Sequence, residues 1–160
     1  MPNDTDVSDI LGDAENKIYS VWTYDPSNSN SKDGWLVYNA NSSSTSNLTD
    51  MTAGYGYWIS VADDTRIEGW GNLLVAGPTT PPSRTLSSGW NLIGYYQIPG
   101  ESSSTPSSAF SSLGNSYTGL WGYNNEGGSF KSSVETILPG DAFWISLPNG
   151  GYYTPSNVNW

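Results

Sequence analysis

The residues of this chain that could do chemistry are carboxylates, amides and flat aromatic rings, because the sequence contains no His and no Cys. That removes the usual general base, the thiol nucleophile, thiolate zinc sites and any disulfide framework. Fifteen Asp and Glu could supply the carboxyl pair of a glycosidase, a reaction that needs only two well-placed acids. Most of them fall in polar turns rather than apolar stretches, so no enzyme is expected. The one loop with ion-binding character is Asp25 to Gly34 (DPSNSNSKDG), where oxygen-bearing side chains alternate between Asp25 and Asp33. It lacks the central Gly and closing bidentate Glu of an EF-hand. Asp63 and Asp64 form a second candidate cation pair, for which a solvated turn is the plainer reading. Calcium is the only cofactor for which these residues make any case. Lys131 near Asn or Asp has the composition of an autocatalytic isopeptide cross-link, and the simpler expectation is an exposed lysine.

Aromatic rings are the richer resource, with eight Trp and eleven Tyr. Trp35, Tyr38, Tyr55 and Trp70, with Tyr152 and Tyr153, lie near loops or Gly-rich turns beside Asn and Asp, a setting that suits stacking against sugars. Trp22, Trp58, Trp90, Trp121 and Trp144 instead recur inside apolar strands, and core packing is expected of them. Asn3, Asn41 and Asn47 each begin an Asn-X-Ser/Thr sequon, candidate N-glycosylation sites that fit an outer-surface location.

The elements that must position these groups are duplicated. VWTYD at Val21 to Asp25 and GYGYWISV at Gly54 to Val61 return as LWGYN at Leu120 to Asn124 and GDAFWISL at Gly140 to Leu147, and DVSDIL at Asp6 to Leu11 aligns with TPSSAF at Thr105 to Phe110. A tandem unit of this size is a folding module rather than a catalytic signature. Thr5 to Gly12 and Ser104 to Gly114 read as short helices with an N-terminal cap and a glycine stop. Strands are expected at Ile18 to Tyr24, with Ile18, Ser20, Trp22 and Tyr24 on one face, and at Trp35 to Tyr38, Tyr117 to Tyr123 and Ser129 to Ser133. Further strands follow the turns at Gly54 and Gly140, glycines that should supply a positive φ or a close approach. Others are expected at Arg66 to Glu68, Asn72 to Ala76, Gly89 to Tyr96 and Gly151 to Thr154. The domain reading is repeat 1 over 1–76, a Pro-rich linker over 77–88 and repeat 2 over 89–160. The fold class is mostly β: two related β-rich repeats with short helices, packed as a pseudo-twofold sandwich or partly open barrel.

Charge narrows the partners. A formal net charge of −10 with only five Lys and Arg disfavours nucleic acid and anionic membrane surfaces, which need a basic face. No apolar run is long enough for a membrane helix, so no direct membrane insertion is expected.

GWNLIGYY at Gly89 to Tyr96, VWTYD, NLTDMTAGYGYWISV at Asn47 to Val61 and the TPPSRTLSSGW linker at Thr80 to Trp90 together resemble a tandem repeat of large secreted or cell-surface proteins of methanogenic archaea and some bacteria. The resemblance covers nearly the whole chain, and Pro2 to Thr5 fits that repeat's PNDT segment. It implies an extracellular structural or adhesive module of a cell envelope, with neighbouring copies, other surface proteins or glycans as partners and no catalytic residues to carry over. A signal peptide would lie outside this segment. The first repeat lacks the GWNLI-type lead strand, a vacancy that Trp70 to Val75, Asn157 to Trp160 or a strand from another molecule would fill, the last giving self-assembly.

Overall fold

Short runs of β-branched and aromatic residues bounded by Gly, Asn and Ser become strands, and the architecture is mostly β with three antiparallel sheets and two short helices. The computed structural model describes residues 6–67, 83–96, 103–114 and 116–154; among them no sheet closes into a barrel. The chain divides into two compact units, Met1–Ala53 with Tyr57–Leu74, and Gly54–Gly56 with Val75–Trp160.

The first unit opens with helix α1 (Val7–Leu11), whose N-cap Asp6 accepts a hydrogen bond from the Ser8 backbone N–H at 2.8 Å. Gly12, at φ 49°, does not stop the chain's winding as expected: a 3-10 turn continues over Gly12–Lys17. Strands β1 (Ile18–Tyr24), β2 (Trp35–Asn39) and β3 (Trp58–Val61) form a sheet in the order β2-β1-β3. Inward-facing Val21 and Leu36 join Val7, Leu11, Ile18 and Leu48 in the core. A register shift between Ile18 and Ser20 turns Ile18 inward while Ser20, Trp22 and Tyr24 point out. The expectation of one shared face therefore fails at Ile18, because a bulge resets the period-2 alternation.

In the second unit, β4 (Arg84–Leu86) pairs with β9 (Gly151–Tyr153). Strands β5 (Gly89–Gly94), β6 (Gly119–Asn124), β7 (Ser129–Lys131) and β8 (Ala142–Leu147) form a sheet ordered β5-β8-β6-β7. Helix α2 (Pro106–Ala109), with Pro at its start and Thr105 as cap, runs into a 3-10 turn over Ser111–Leu113. It buries Phe110 edge-on to Tyr117 and Phe143, at ring separations of 6.2 and 5.9 Å. Phe110, Ile93, Ile137, Phe143, Ile145 and Tyr153 lie in the core; each such side chain contributes roughly 1.5–3 kcal/mol on burial. Arg84 to Leu86, expected to be linker, are thus a strand, and Arg84 is buried.

Gly54 and Gly140 both take positive φ, 86° and 95°, as their positions before the aromatic strands require. The Gly54 turn belongs with the second unit. Tyr55 bridges to Ile93, the Gly94 N–H donates to Gly54 O at 3.1 Å, and the Gly56 N–H donates to Leu92 O at 3.3 Å. Arg84 fastens this segment: its Nη1 donates to Gly54 O and Leu92 O at 3.1 and 2.6 Å, and its guanidinium lies 3.5 Å from the Tyr55 ring centre. Of the expected strand at Arg66 to Glu68, Arg66 and Ile67 are irregular. Asn72 to Ala76 and both in-chain candidates for the missing strand, Trp70 to Val75 and Asn157 to Trp160, lie outside the described residues.

Candidate functional site

In an antiparallel pair, residues directly opposite share a face and stand about 4.5–5.5 Å apart at Cβ. On β1, Trp22 is opposite Val37 on β2 and Trp58 on β3, while Tyr24 is opposite Trp35. Four aromatic side chains thus gather on the outward side of the first sheet. Trp35 makes edge contacts with Trp22 and Tyr24, at ring separations of 6.2 and 5.3 Å. The Trp22 Nε1–H donates to Ser20 Oγ at 2.9 Å, fixing the indole's orientation.

The second unit repeats this layout. Trp121 on β6 is opposite Trp144 on β8, and Tyr123 is opposite Phe130 on β7. The Tyr24–Trp35 pair meets at 67° and 5.3 Å, the Tyr123–Phe130 pair at 69° and 5.2 Å. Trp22 and Trp121 are each 40% exposed. Trp90 adds a fifth ring to the second face: a Cβ built on Gly119 would stand 2.8 Å from its Cη2, so the indole lies over that glycine.

The core expected of Trp22, Trp58, Trp90, Trp121 and Trp144 is therefore wrong. They lie on outward sheet faces, half-buried or exposed, while their smaller neighbours Val21, Thr23 and Gly122 point inward. The signal for this was present in the paired motifs VWTY and LWGY, where large rings alternate with small residues in both copies. Tyr24, Tyr123 and Phe130 join the clusters without having been singled out.

Of the described rings expected to meet sugars, only Trp35 belongs to a cluster. Tyr38 faces the other way, packs against the first core and donates its hydroxyl hydrogen bond to Glu15. That bond, with burial, pushes its pKa up to about 12. Tyr55 lies against the Arg84 guanidinium, and Trp70 lies outside the described residues. Tyr152 is 69% exposed, whereas Tyr153 is fully buried, a correction to its expected place near a loop; burial drives its pKa upward.

The candidate cation ligands are dispersed. Asp25 is buried at the end of β1, and its Oδ1 accepts from the Ser27 N–H and hydroxyl at 3.0 and 2.6 Å, which closes the start of the loop. Asp33 is exposed at φ 54°. Asp63 and Asp64 sit in an exposed connection, with the Thr65 hydroxyl donating to Asp63 O. Among the described residues, no three His, Cys, Asp or Glu gather where one ion could be held. Lys131 is exposed at the end of β7.

Of the sequons, Asn41 is exposed and Asn3 lies outside the described residues. Asn47 uses its side chain on the edge of β2, accepting from the Val37 N–H at 2.7 Å and donating to Asn30 O at 2.8 Å. The nitrogen that would carry a glycan is already holding the loop in place.

Comparison with protein-family models, curated proteins and solved structures gives no match. Among the described residues no helix is long and apolar enough to cross a membrane. The paired aromatic faces are the feature to which a function can be attached.

Proposed function

We propose that this chain is an extracellular, non-enzymatic structural and adhesive module of a cell-surface protein, attaching through the outward aromatic face of each unit. The observation that carries the reading is the recurrence of one outward-facing, partly exposed cluster, Trp22 and Trp58 with Tyr24 and Trp35, as Trp121 and Trp144 with Tyr123 and Phe130. Aromatic side chains left toward solvent in a contiguous patch forgo burial, and such patches mark interaction surfaces. A strand sheet is a rigid support, so the rings meet a partner with little ordering cost. The resemblance to envelope repeats of methanogenic archaea supports the extracellular reading.

Adsorption to polysaccharide-coated, glycoprotein-coated and plain protein-coated sensor surfaces tests this. The wild-type chain is expected to be retained on at least one of them, and the Trp22→Thr/Trp121→Thr variant to be released. Equal retention of both proteins would remove the aromatic faces from any adhesive role.

A further inference from the structure

The outward positions of both sheets share a second property besides their rings. In the first sheet the remaining outward side chains are Ser20, Val37, Asn39 and Ser60; in the second they are Ala142 and Ser146 with two glycines, while Leu92 on the same side is buried beneath Gly56. No charged side chain stands among them, in a chain whose formal net charge is −10. Among the described residues, no carboxylate occupies an outward strand position on either face. A polyanionic partner would meet the repulsion of the whole chain, and a polycationic one would find no carboxylate on the face to pair with. The match in charge is with a neutral partner.

The polar groups narrow the chemistry further. In the first sheet, the row Asn39, Ser20, Ser60 runs directly beside the row Val37, Trp22, Trp58. The exposed Ser60 hydroxyl thus stands next to the ring faces, with Ser20 and Asn39, whose side chains also accept from Trp22 Nε1 and donate to Thr45 Oγ1 respectively, in the same row. That combination suits a ligand that is apolar on its ring faces and hydroxyl-bearing at its edges. The second sheet offers the same with Ser146 beside Trp144, and Gly119 leaves room for the Trp90 ring alongside.

We infer that each unit binds an uncharged polysaccharide on its outward aromatic face, so that one chain carries two equivalent glycan sites. The inference rests on the adhesive reading above and adds its ligand class and its valency. Trp22 with Trp58 forms the platform of one site and Trp121 with Trp144 that of the other, and each works without the other.

Isothermal titration of the whole chain with cellohexaose, chitohexaose and mannohexaose, with an alginate oligomer as the anionic control, tests it. At least one neutral oligosaccharide is expected to bind at two sites per chain, with an affinity unaffected by salt, and alginate is not. Trp22→Thr and Trp121→Thr, which keep a residue type suited to strands, should each leave one site, and the double variant should bind at least about tenfold more weakly. Trp22→Tyr and Trp121→Tyr keep a flat ring and should keep both sites, which separates a lost platform from a lost fold. Binding of alginate equal to that of a neutral sugar, or a double variant that binds undiminished, would overturn the inference. So would failure of all three neutral sugars. If in that case protein-coated surfaces still retain the wild type and release the double variant, the adhesive reading stands and only its ligand class falls; if nothing retains it, both fall.

Discussion

Gly34→Ala should damage the first aromatic face from behind. Gly34 precedes β2 at φ 85°, and a Cβ placed there would stand 2.3 Å from Tyr24 Cε2 and 2.7 Å from Cζ. Two effects add. A non-glycine residue in left-handed backbone costs about 1–2 kcal/mol. The overlap, more than an ångström inside ordinary carbon contact of about 3.5–4.0 Å, must be relieved by moving the Tyr24 ring, an overpacking cost of about 1–3 kcal/mol. The ring it moves is the one that meets Trp35 at 5.3 Å, so the fluorescence of the cluster should change along with stability. Urea unfolding then separates the terms: about 2–5 kcal/mol of destabilisation in the wild-type background, and only the backbone part, about 1–2 kcal/mol, when Tyr24→Ala has already removed the ring. If the two substitutions are additive to within about 0.5 kcal/mol, Tyr24 does not pack over Gly34 and this account of the face is wrong.

Other substitutions probe the supports of each unit. Asp6→Ala, which deletes the α1 cap, should cost about 0.5–2 kcal/mol by urea midpoint. The Ser8 hydroxyl and then its backbone N–H hold the Asp6 carboxyl below its ordinary value; a depressed folded pKa stabilises above the ordinary value and is lost as pH falls, so the wild type's advantage should shrink below about pH 4. Tyr38→Phe acts at the opposite end of the scale. With the Tyr38 hydroxyl held up to about 12, chiefly by Glu15, its contribution is complete below the ordinary value of about 10 and is lost as pH rises through the folded one. Tyr96 and Tyr153, raised by burial, titrate late in both proteins, so tyrosinate absorbance should show one late group fewer in the variant, whose stability should fall less over that window. Phe110→Ala, which empties the centre of the second core, should cost about 3–5 kcal/mol in thermal or urea unfolding; a loss under about 1 kcal/mol would mean that the ring contacts around it contribute little.

Much of the fold is legible because strands and caps are local. The strand at Ile18 to Tyr24, the capped starts of the two short helices and the glycines before the aromatic strands each declare themselves within a few residues, and each occurs where expected, although the alternation within that strand holds only from Ser20 onward. β4 escaped notice because three residues beside a Pro-rich run carry too little periodicity; its pairing with β9 is a tertiary matter. The faces were misassigned for a different reason. Recurrence of Trp in both copies was read as packing, yet recurrence says only that a position matters, not which side of the sheet it occupies. The decisive information was the bulge at Ile18 and Ser20, which no pattern count reveals, and the small residues opposite the rings, which an alternation count does reveal. The Asp25 to Gly34 loop looked like an ion site because its side chains carry oxygen, whereas the observed contacts of Asp25 are those of a residue closing a turn on itself.

The seating of Gly54 to Gly56 beside β5 has a consequence for how this sequence can be divided. Cut at the proline-rich seam, the downstream half would lose the stretch that hydrogen-bonds its first long strand and the carbonyl that Arg84 grips. The bared strand edge is a template for pairing with another chain, and the nearest replacement for the missing stretch is the same stretch from a neighbouring molecule, the route to an exchanged dimer. Similar as their motifs are, the two halves are no longer interchangeable parts: a gene rearrangement that keeps the second half properly folded has to carry the turn of the first along with it.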